Sequence, residues 1–266
     1  PRRMRWGEAS TEFVRPVHWP VLLFGDEVIP ATIMGVPTGR ATRGHRFHHP
    51  EPILLASPAD YARQLASEGR VIADFDERRA AIRAQAEAVA AELRGVAVIK
   101  PELLDEVSAL VEWPVALAGN FERRFLDVPA EALISTMQDN QRYFPVVDAH
   151  GRLLPHFITI ANLESRDPAQ VRAGNERVIR PRFSDAEFFW NQDRKQPLAA
   201  RFESLKHVVF QQRLGTMADK SARVAALARF IADHGRGNAD WDERAARLPE
   251  GALGAECASR SSAPDG

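Results

Sequence analysis

The pattern of apolar residues changes near residue 165, and this change limits the possible folds more than any other feature of the chain. Before it, short apolar runs bounded by turn residues alternate with helical patterns, which is typical of strands mixed with helices. After Asp167 only helical spacing remains. The sequence therefore predicts an α+β fold, with a mixed sheet-and-helix domain at 1–165, an all-helical segment at 166–232 and an aperiodic, disordered tail at 233–266.

Turn and capping residues mark the elements of the first part. Two hairpins are predicted, one about Gly25 and the other about Asp148 to Gly151. Asp74 precedes the most clearly marked helix, because Glu77 three residues later completes a capping box. A stripe at helical spacing continues this helix, and it consists of Ile82, Ala86, Val89 and Leu93.

The second part carries helix signals. Ser184 and Glu187 form another capping box directly after the basic stretch RVIRPRF, so we expect a helix to begin there. A further helix is predicted from a stripe that consists of Leu198, Phe202, Leu205 and Val209. The residues after Asp233 are poor in aliphatic side chains and lack this spacing, so we expect them to be disordered or loosely attached.

The composition belongs to a globular protein outside the membrane. Of the 266 residues, 45% are hydrophobic and 27% are charged. Apolar runs such as VLLF are too short to cross a bilayer. The single cysteine has no partner for an intrachain disulfide, which fits a reducing cytoplasm. Because the chain begins PRRMRWG, without an initiator Met or a signal segment, we expect an internal fragment of a longer cytoplasmic protein.

Familiar catalytic and nucleotide-binding motifs do not occur in the sequence. It has no G-x-x-x-x-G-K-[ST] phosphate loop, no G-x-G-x-x-G, no G-x-S-x-G and no H-E-x-x-H. The glycines of MGVPTGRATRG lack the lysine that would reach a terminal phosphate. We therefore predict no catalytic, cofactor or metal site in this chain.

The net charge of −1 conceals two basic stretches. The first lies in TRGHRFHHP, within a stretch free of acids between Glu27 and Glu51. Three interpretations are open. His45, His48 and His49 have a spacing that suits a metal on a helix, although the nearby arginines would repel a dication. Arg43 and Arg46 suit an anion such as phosphate. Alternatively, the rings pack against Phe47 and the neighbouring sheet. We favour phosphate contact for the arginines and packing for the histidines.

The second basic stretch is GNERVIRPRFSDAEFFW. Its candidates for phosphate contact are Arg177, Arg180 and Arg182, which we expect to precede a helix. Aromatic residues follow directly, and such a mixture can also stack on bases. Because aromatic residues on helices more often belong to a core, we expect at least two of Phe188, Phe189 and Trp190 to be buried.

Eight stretches, in order, resemble the family of beta subunits of bacterial heterotetrameric glycyl-tRNA synthetases. The strings are MRWG, FVRPVHW, TRGHRFHHP, ADFDERR, LLDEVSALVEWPVAL, NQRYFPV, GNERVIRPRFSDAEFF and LGTMADKSAR. The resemblance covers about Met4 to Ile231, and we expect the tail beyond to be foreign to the family. It implies a fragment that binds tRNA(Gly), an alpha subunit that carries the aminoacylation site with ATP and Mg²⁺, an alpha2beta2 assembly, and an HD-like domain that opens in LGTMADKSAR.

Three functional hypotheses follow. The leading one is a tRNA-binding part of the ligase's beta subunit, inactive alone, with the five arginines as contacts. The second is a structural module that holds the alpha subunit through apolar surface near Trp113 or Trp190. The third is a metal-dependent hydrolase that uses the histidines of TRGHRFHHP.

Overall fold

A computed structural model describes residues 3–8, 10–235 and 237–252. The helices are α1 Tyr61–Ser67, α2 Phe75–Glu92, α3 Pro101–Leu110, α4 Ala130–Ser135, α5 Pro168–Asp193, α6 Met217–His234 and α7 Ala239–Ala252. The strands are β1 Leu23–Phe24, β2 Glu27–Val28, β3 Thr32–Ile33, β4 Val36–Pro37, β5 Ala41–Arg43, β6 Pro52–Leu54, β7 Val96–Ala97, β8 Val115–Asn120, β9 Phe144–Val147, β10 Leu153–Ala161, β11 Val209–Gln211 and β12 Gly215–Thr216. The α+β fold class is confirmed.

Two compact units divide the chain. The first extends to Gly119 and also includes Arg142–Asn175, and the second comprises Asn120–Gln141 and the chain from Glu176 onward. Helix α5 begins in the first unit and continues in the second. The domain boundaries predicted from the sequence stay a prediction, as does an HD-like domain that opens at α6.

In the first unit, helices cover a four-stranded sheet of order β7-β9-β10-β8. Its core consists of side chains from α2, α3 and the sheet, among them Ile82, Leu104, Phe144 and Ile158. The Asp74 carboxylate accepts the Glu77 backbone N–H at 2.9 Å, which confirms the predicted start of α2. The hairpins predicted about Gly25 and about residues 148–151 are also confirmed, as β1-β2 and β9-β10.

The second unit has an aromatic core beneath α5. Phe183 is fully buried, and its ring meets Phe121 edge-on at 4.9 Å and Phe125 at 5.6 Å between centroids. One turn earlier on the same face, Ile179 is also fully buried. These contacts fix the part of α5 that carries the predicted arginines.

The predicted start of a helix at Ser184 is wrong. Helix α5 is continuous from Pro168 to Asp193 and includes Pro181 in its interior. A proline there removes one backbone hydrogen bond and usually disturbs a helix. The buried residues Ile179 and Phe183, on either side of Pro181, anchor both turns in the core and so support continuity.

A short hairpin, β11-β12, lies within the segment that was predicted to be all-helical. Val209 therefore belongs to a strand, and the helical stripe ends with a 3₁₀ helix at Leu198–His207. The β-branched and aromatic run Val208 to Phe210 favours a strand, and Gly215 supplies a positive φ of 85° at the first position of the second strand.

The predicted disorder after residue 233 is wrong for residues 239–252, which form α7. The Asn238 side chain caps this helix by accepting the Trp241 N–H at 3.1 Å. Arg229 of α6 pairs with Asp240 at 2.9 Å and with Glu243 at 2.8 Å. These polar contacts help to hold α7 against α6. The rest of the predicted tail, from residue 253, lies outside the described residues.

Among the helices of the described residues, none combines the length and apolar character that a bilayer crossing requires.

Candidate nucleic-acid interface

The loop between β5 and β6, residues 44–51, forms a single helical turn. The backbone N–H groups of His48 and His49 both donate to the His45 carbonyl, at 3.1 and 2.8 Å. The three histidines thus have the spacing that a helical metal site would use. We call this segment, with Arg43 before it, the histidine loop.

Two of the three imidazoles serve to hold the histidine loop in place. His45 is buried, and its Nδ1 accepts the Phe47 N–H at 3.3 Å, so the proton lies on Nε2 and is donated to the Asn162 carbonyl at 2.5 Å. His48 Nε2 accepts the Glu164 N–H at 3.0 Å. Three or more side chains that could jointly hold a metal do not occur among the described residues.

A close approach of two glycines also fixes the loop. The His45 N–H donates to the Gly69 carbonyl at 2.7 Å. A Cβ atom on Gly44 would lie 2.6 Å from the Cα and from the carbonyl oxygen of Gly69, so a side chain does not fit there. The loop is therefore attached to Gly69 on one side and to residues 162–164 on the other.

Packing of the histidine rings against Phe47, expected from the sequence, is confirmed for His45, whose ring centroid lies 6.0 Å from that of Phe47. The Phe47 ring is 73% exposed and extends from the loop into solvent. His45 and His48 also pack against each other, with ring centroids 4.7 Å apart. The histidines thus support the loop from within, and Phe47 belongs to its outer surface.

Arg43 and Arg46 are both exposed on this outer surface. The Arg43 guanidinium lies 5.6 Å from the centroid of the Trp19 ring and donates to the Pro50 carbonyl at 3.4 Å. Neither arginine forms an ion pair with any residue that the structure describes. Two guanidinium groups are therefore available to an anion.

A cleft of about 580 Å³ opens beside these arginines. Its lining includes Trp19, Arg43, Arg46, Phe47, Glu112 and Asn162. The Asn162 side-chain oxygen accepts the backbone N–H groups of Glu112 and Trp113, at 2.6 and 3.0 Å. Sequence reasoning missed Trp19 as part of this surface, because only the fold brings it beside the loop; its position in the basic string VRPVHW was the available signal.

The other three candidate arginines lie on α5 and differ in their surroundings. All are exposed, but Arg180 pairs with Glu122 at 2.7 Å. Partial burial opposes ionisation of Glu122, yet hydrogen bonds from its own backbone and from Arg180, with the nearby positive charges, lower its pKa below the ordinary value. Arg177 and Arg182 form no ion pair within the described ranges. At 100° per residue they point about 140° apart, so α5 presents them on different faces.

The expectation that two of the aromatic residues after the α5 arginines are buried is wrong. Phe188 is 56% exposed, and Phe189 and Trp190 are only partly buried. Phe188 and Phe189 contact each other edge to face at 5.3 Å. The buried aromatic of this helix is Phe183, one turn closer to the arginines.

Comparison with known proteins agrees with the resemblance seen in the sequence. The family described as "Glycyl-tRNA synthetase beta subunit" matches residues 1–256. The match passes well beyond Ile231, so the expectation that the family pattern ends there is wrong.

Three glycine–tRNA ligase beta subunits illustrate the similarity. The protein from Hahella chejuensis is 59% identical over 256 residues, which cover 96% of this chain and 37% of the relative. The one from Pseudomonas fluorescens is 54% identical over 256 residues, with the same coverage. The one from Marinobacter nauticus is 59% identical over 249 residues, covering 93% of this chain and 36% of the relative. This chain thus spans about 37% of the length of such relatives, and it belongs to the glycyl-tRNA synthetase beta subunit family.

Proposed function

We propose that this chain is a tRNA-binding part of the beta subunit of a cytoplasmic glycine–tRNA ligase. The intact subunit would act with an alpha subunit, as alpha2beta2, to attach glycine to tRNA(Gly). Following the family resemblance, we assign ATP, Mg²⁺ and the aminoacylation site to the alpha subunit; the lack of the common nucleotide-binding motifs in this sequence agrees with that assignment. The chain alone is then expected to form no glycyl-adenylate. Family membership and the names of the relatives support this proposal.

The observation that carries the tRNA-binding role is the exposed pair Arg43 and Arg46. Both guanidinium groups lie on a loop that is held by the hydrogen bonds of His45 and His48, and neither has an acidic partner among the described residues. Guanidinium groups bind phosphate oxygens through two parallel hydrogen bonds. On α5, Arg177 and Arg182 are further candidates, whereas Arg180 already pairs with Glu122.

Replacing Arg43 or Arg46 by alanine tests this role. Each phosphate contact contributes about 0.7 to 0.9 to the slope of log affinity against log salt concentration. We therefore expect each substitution to reduce the slope for tRNA by about one and to change the free energy of unfolding by no more than about 0.5 kcal/mol. The matched control is Arg152→Ala, which removes an arginine that is paired with Asp148 at 2.7 Å. An unchanged slope in the Arg43/Arg46 double variant would refute phosphate contact by this loop.

A role in assembly with the alpha subunit is the second candidate. Helix α6 buries small residues, including Ala218, Ser221 and Ala225, and exposes large apolar ones on other faces. The exposed set consists of Val224, Leu227, Phe230 and Ile231, with exposed fractions of 43 to 61%. Such a cluster favours a protein partner over solvent. If this chain bound the alpha subunit and did not bind tRNA, the result would favour assembly as its function and exclude the tRNA-binding role.

A further inference from the structure

Two large aromatic side chains are exposed at the cleft beside the histidine loop. Phe47 is 73% exposed and Trp19 is 45% exposed, and both line the cleft. Single exposed aromatic residues are common on proteins, but two at one cleft with two exposed arginines form a defined chemical surface. Phosphate contact explains the arginines but does not explain why two aromatic rings are exposed beside them.

The rings are held in position before any ligand binds. Phe47 lies on the turn that the His45 and His48 hydrogen bonds attach to residues 162–164. Its own N–H is bound to His45 Nδ1 at 3.3 Å. The Arg43 guanidinium lies above the Trp19 ring at 5.6 Å, within the range of a cation–π contact. A ligand therefore meets a surface that is already ordered, which lowers the entropy lost on binding.

Exposed aromatic rings together with guanidinium groups match single-stranded nucleic acid. Unpaired bases offer flat faces to aromatic rings while the backbone phosphates contact positive charges. The bases of an RNA duplex are already stacked on each other, so they cannot stack on these rings. Glu112 also lines the cleft, and an exposed carboxylate accepts hydrogen bonds from base amino groups and repels phosphate.

We propose that this cleft binds an unpaired stretch of RNA. Its bases stack on Phe47 and Trp19, and its phosphates contact Arg43 and Arg46. The inference rests on the proposed tRNA-binding function and specifies which kind of RNA structure this surface takes.

The test compares a labelled single-stranded oligoribonucleotide with the same sequence in a duplex, by fluorescence anisotropy with the whole 266-residue chain. The single strand should bind more tightly than the duplex. Because stacking of one base on an aromatic ring contributes measurably to affinity, Phe47→Ala and Trp19→Ala should each weaken single-strand binding by about fivefold or more. Trp19→Phe, which retains a ring, should recover most of the affinity.

Phe24→Ala is the matched control, since Phe24 is 80% exposed on the β1-β2 hairpin and does not line this cleft. It should leave binding unchanged. If Trp19→Ala does not fold, Phe47→Ala decides alone, because its exposed ring contributes little to stability. Equal affinity of the Phe47 variant and the unmodified chain for the single strand overturns the inference. Binding of intact tRNA is measured alongside: its complete absence refutes the proposed function, whereas tRNA binding that both ring variants leave intact refutes only the stacking cleft.

Discussion

Replacing Phe183 by alanine is expected to lower the free energy of unfolding of the second unit by about 3–5 kcal/mol. The ring is fully buried and contacts Phe121 and Phe125 edge to face. Its removal loses the free energy gained by burying a large apolar group and leaves a cavity that the neighbouring rings cannot fill. Urea denaturation followed by circular dichroism measures the change.

Phe188→Ala is the matched control for this prediction. It removes the same side chain from the same helix, but at a position that is 56% exposed. We expect a change within about 0.5 kcal/mol, apart from the lost contact with Phe189. If the two variants lost similar stability, the assignment of Phe183 to the core of α5 would be wrong.

Gly44→Ala is expected to destabilise the first unit by about 1–3 kcal/mol or more. The new Cβ would lie 2.6 Å from two backbone atoms of Gly69, and backbone cannot rotate away as a flexible side chain would. The histidine loop must then shift, so tRNA affinity should fall together with stability. Differential scanning calorimetry and tRNA titration measure the two effects.

The opposite sign is expected for Gly174→Ala, which serves as the control. Gly174 lies in α5, and an added Cβ meets no other atom within 4 Å. Alanine in an exposed helix is favoured over glycine by about 0.5–1 kcal/mol, so this variant should be more stable than the original chain. No destabilisation by Gly44→Ala would contradict the described close approach of Gly44 to Gly69, whereas destabilisation by Gly174→Ala would contradict the open surroundings of Gly174.

Elements with strong local signals could be predicted from the sequence. The capping residue Asp74 and the stripe from Ile82 onward determine α2 without help from the rest of the chain. At Ser184 a similar local signal gave a wrong prediction of a helix start, because a serine three residues before an acidic residue also occurs inside helices. Burial of Ile179 and Phe183 decides the continuity of α5, and burial depends on contacts that the local sequence does not contain.

The chemistry of the candidate site could be predicted in part. The sequence shows that arginines and histidines are concentrated in the histidine loop. It also predicts that the arginines are exposed and that the histidines hold the loop. The hydrogen-bond partners of these side chains could not be predicted. His45 binds the Asn162 carbonyl across a separation of 117 residues, and Arg180 binds Glu122 across a separation of 58. Such pairs exist only once the chain has folded.

Helix α7 was missed for a related reason. Its contacts include ion pairs from Arg229 of α6 and a cap from Asn238, and a search for apolar stripes detects neither of these. The hydrogen bond from Arg229 and the positive charges of Arg247 and Arg229 lower the pKa of Glu243 below its ordinary value.

The salt dependence of tRNA binding by the unmodified chain tests the central claim most directly. The claim is that exposed arginines of this chain contact tRNA phosphates. With three to five contacts, log affinity should fall against log salt concentration with a slope of roughly −2 to −5. A measured slope in this range, reduced by about one in each of the Arg43→Ala and Arg46→Ala variants, is the predicted result. A flat titration from low to moderate salt, or no detectable tRNA binding at low salt by the folded chain, would contradict it.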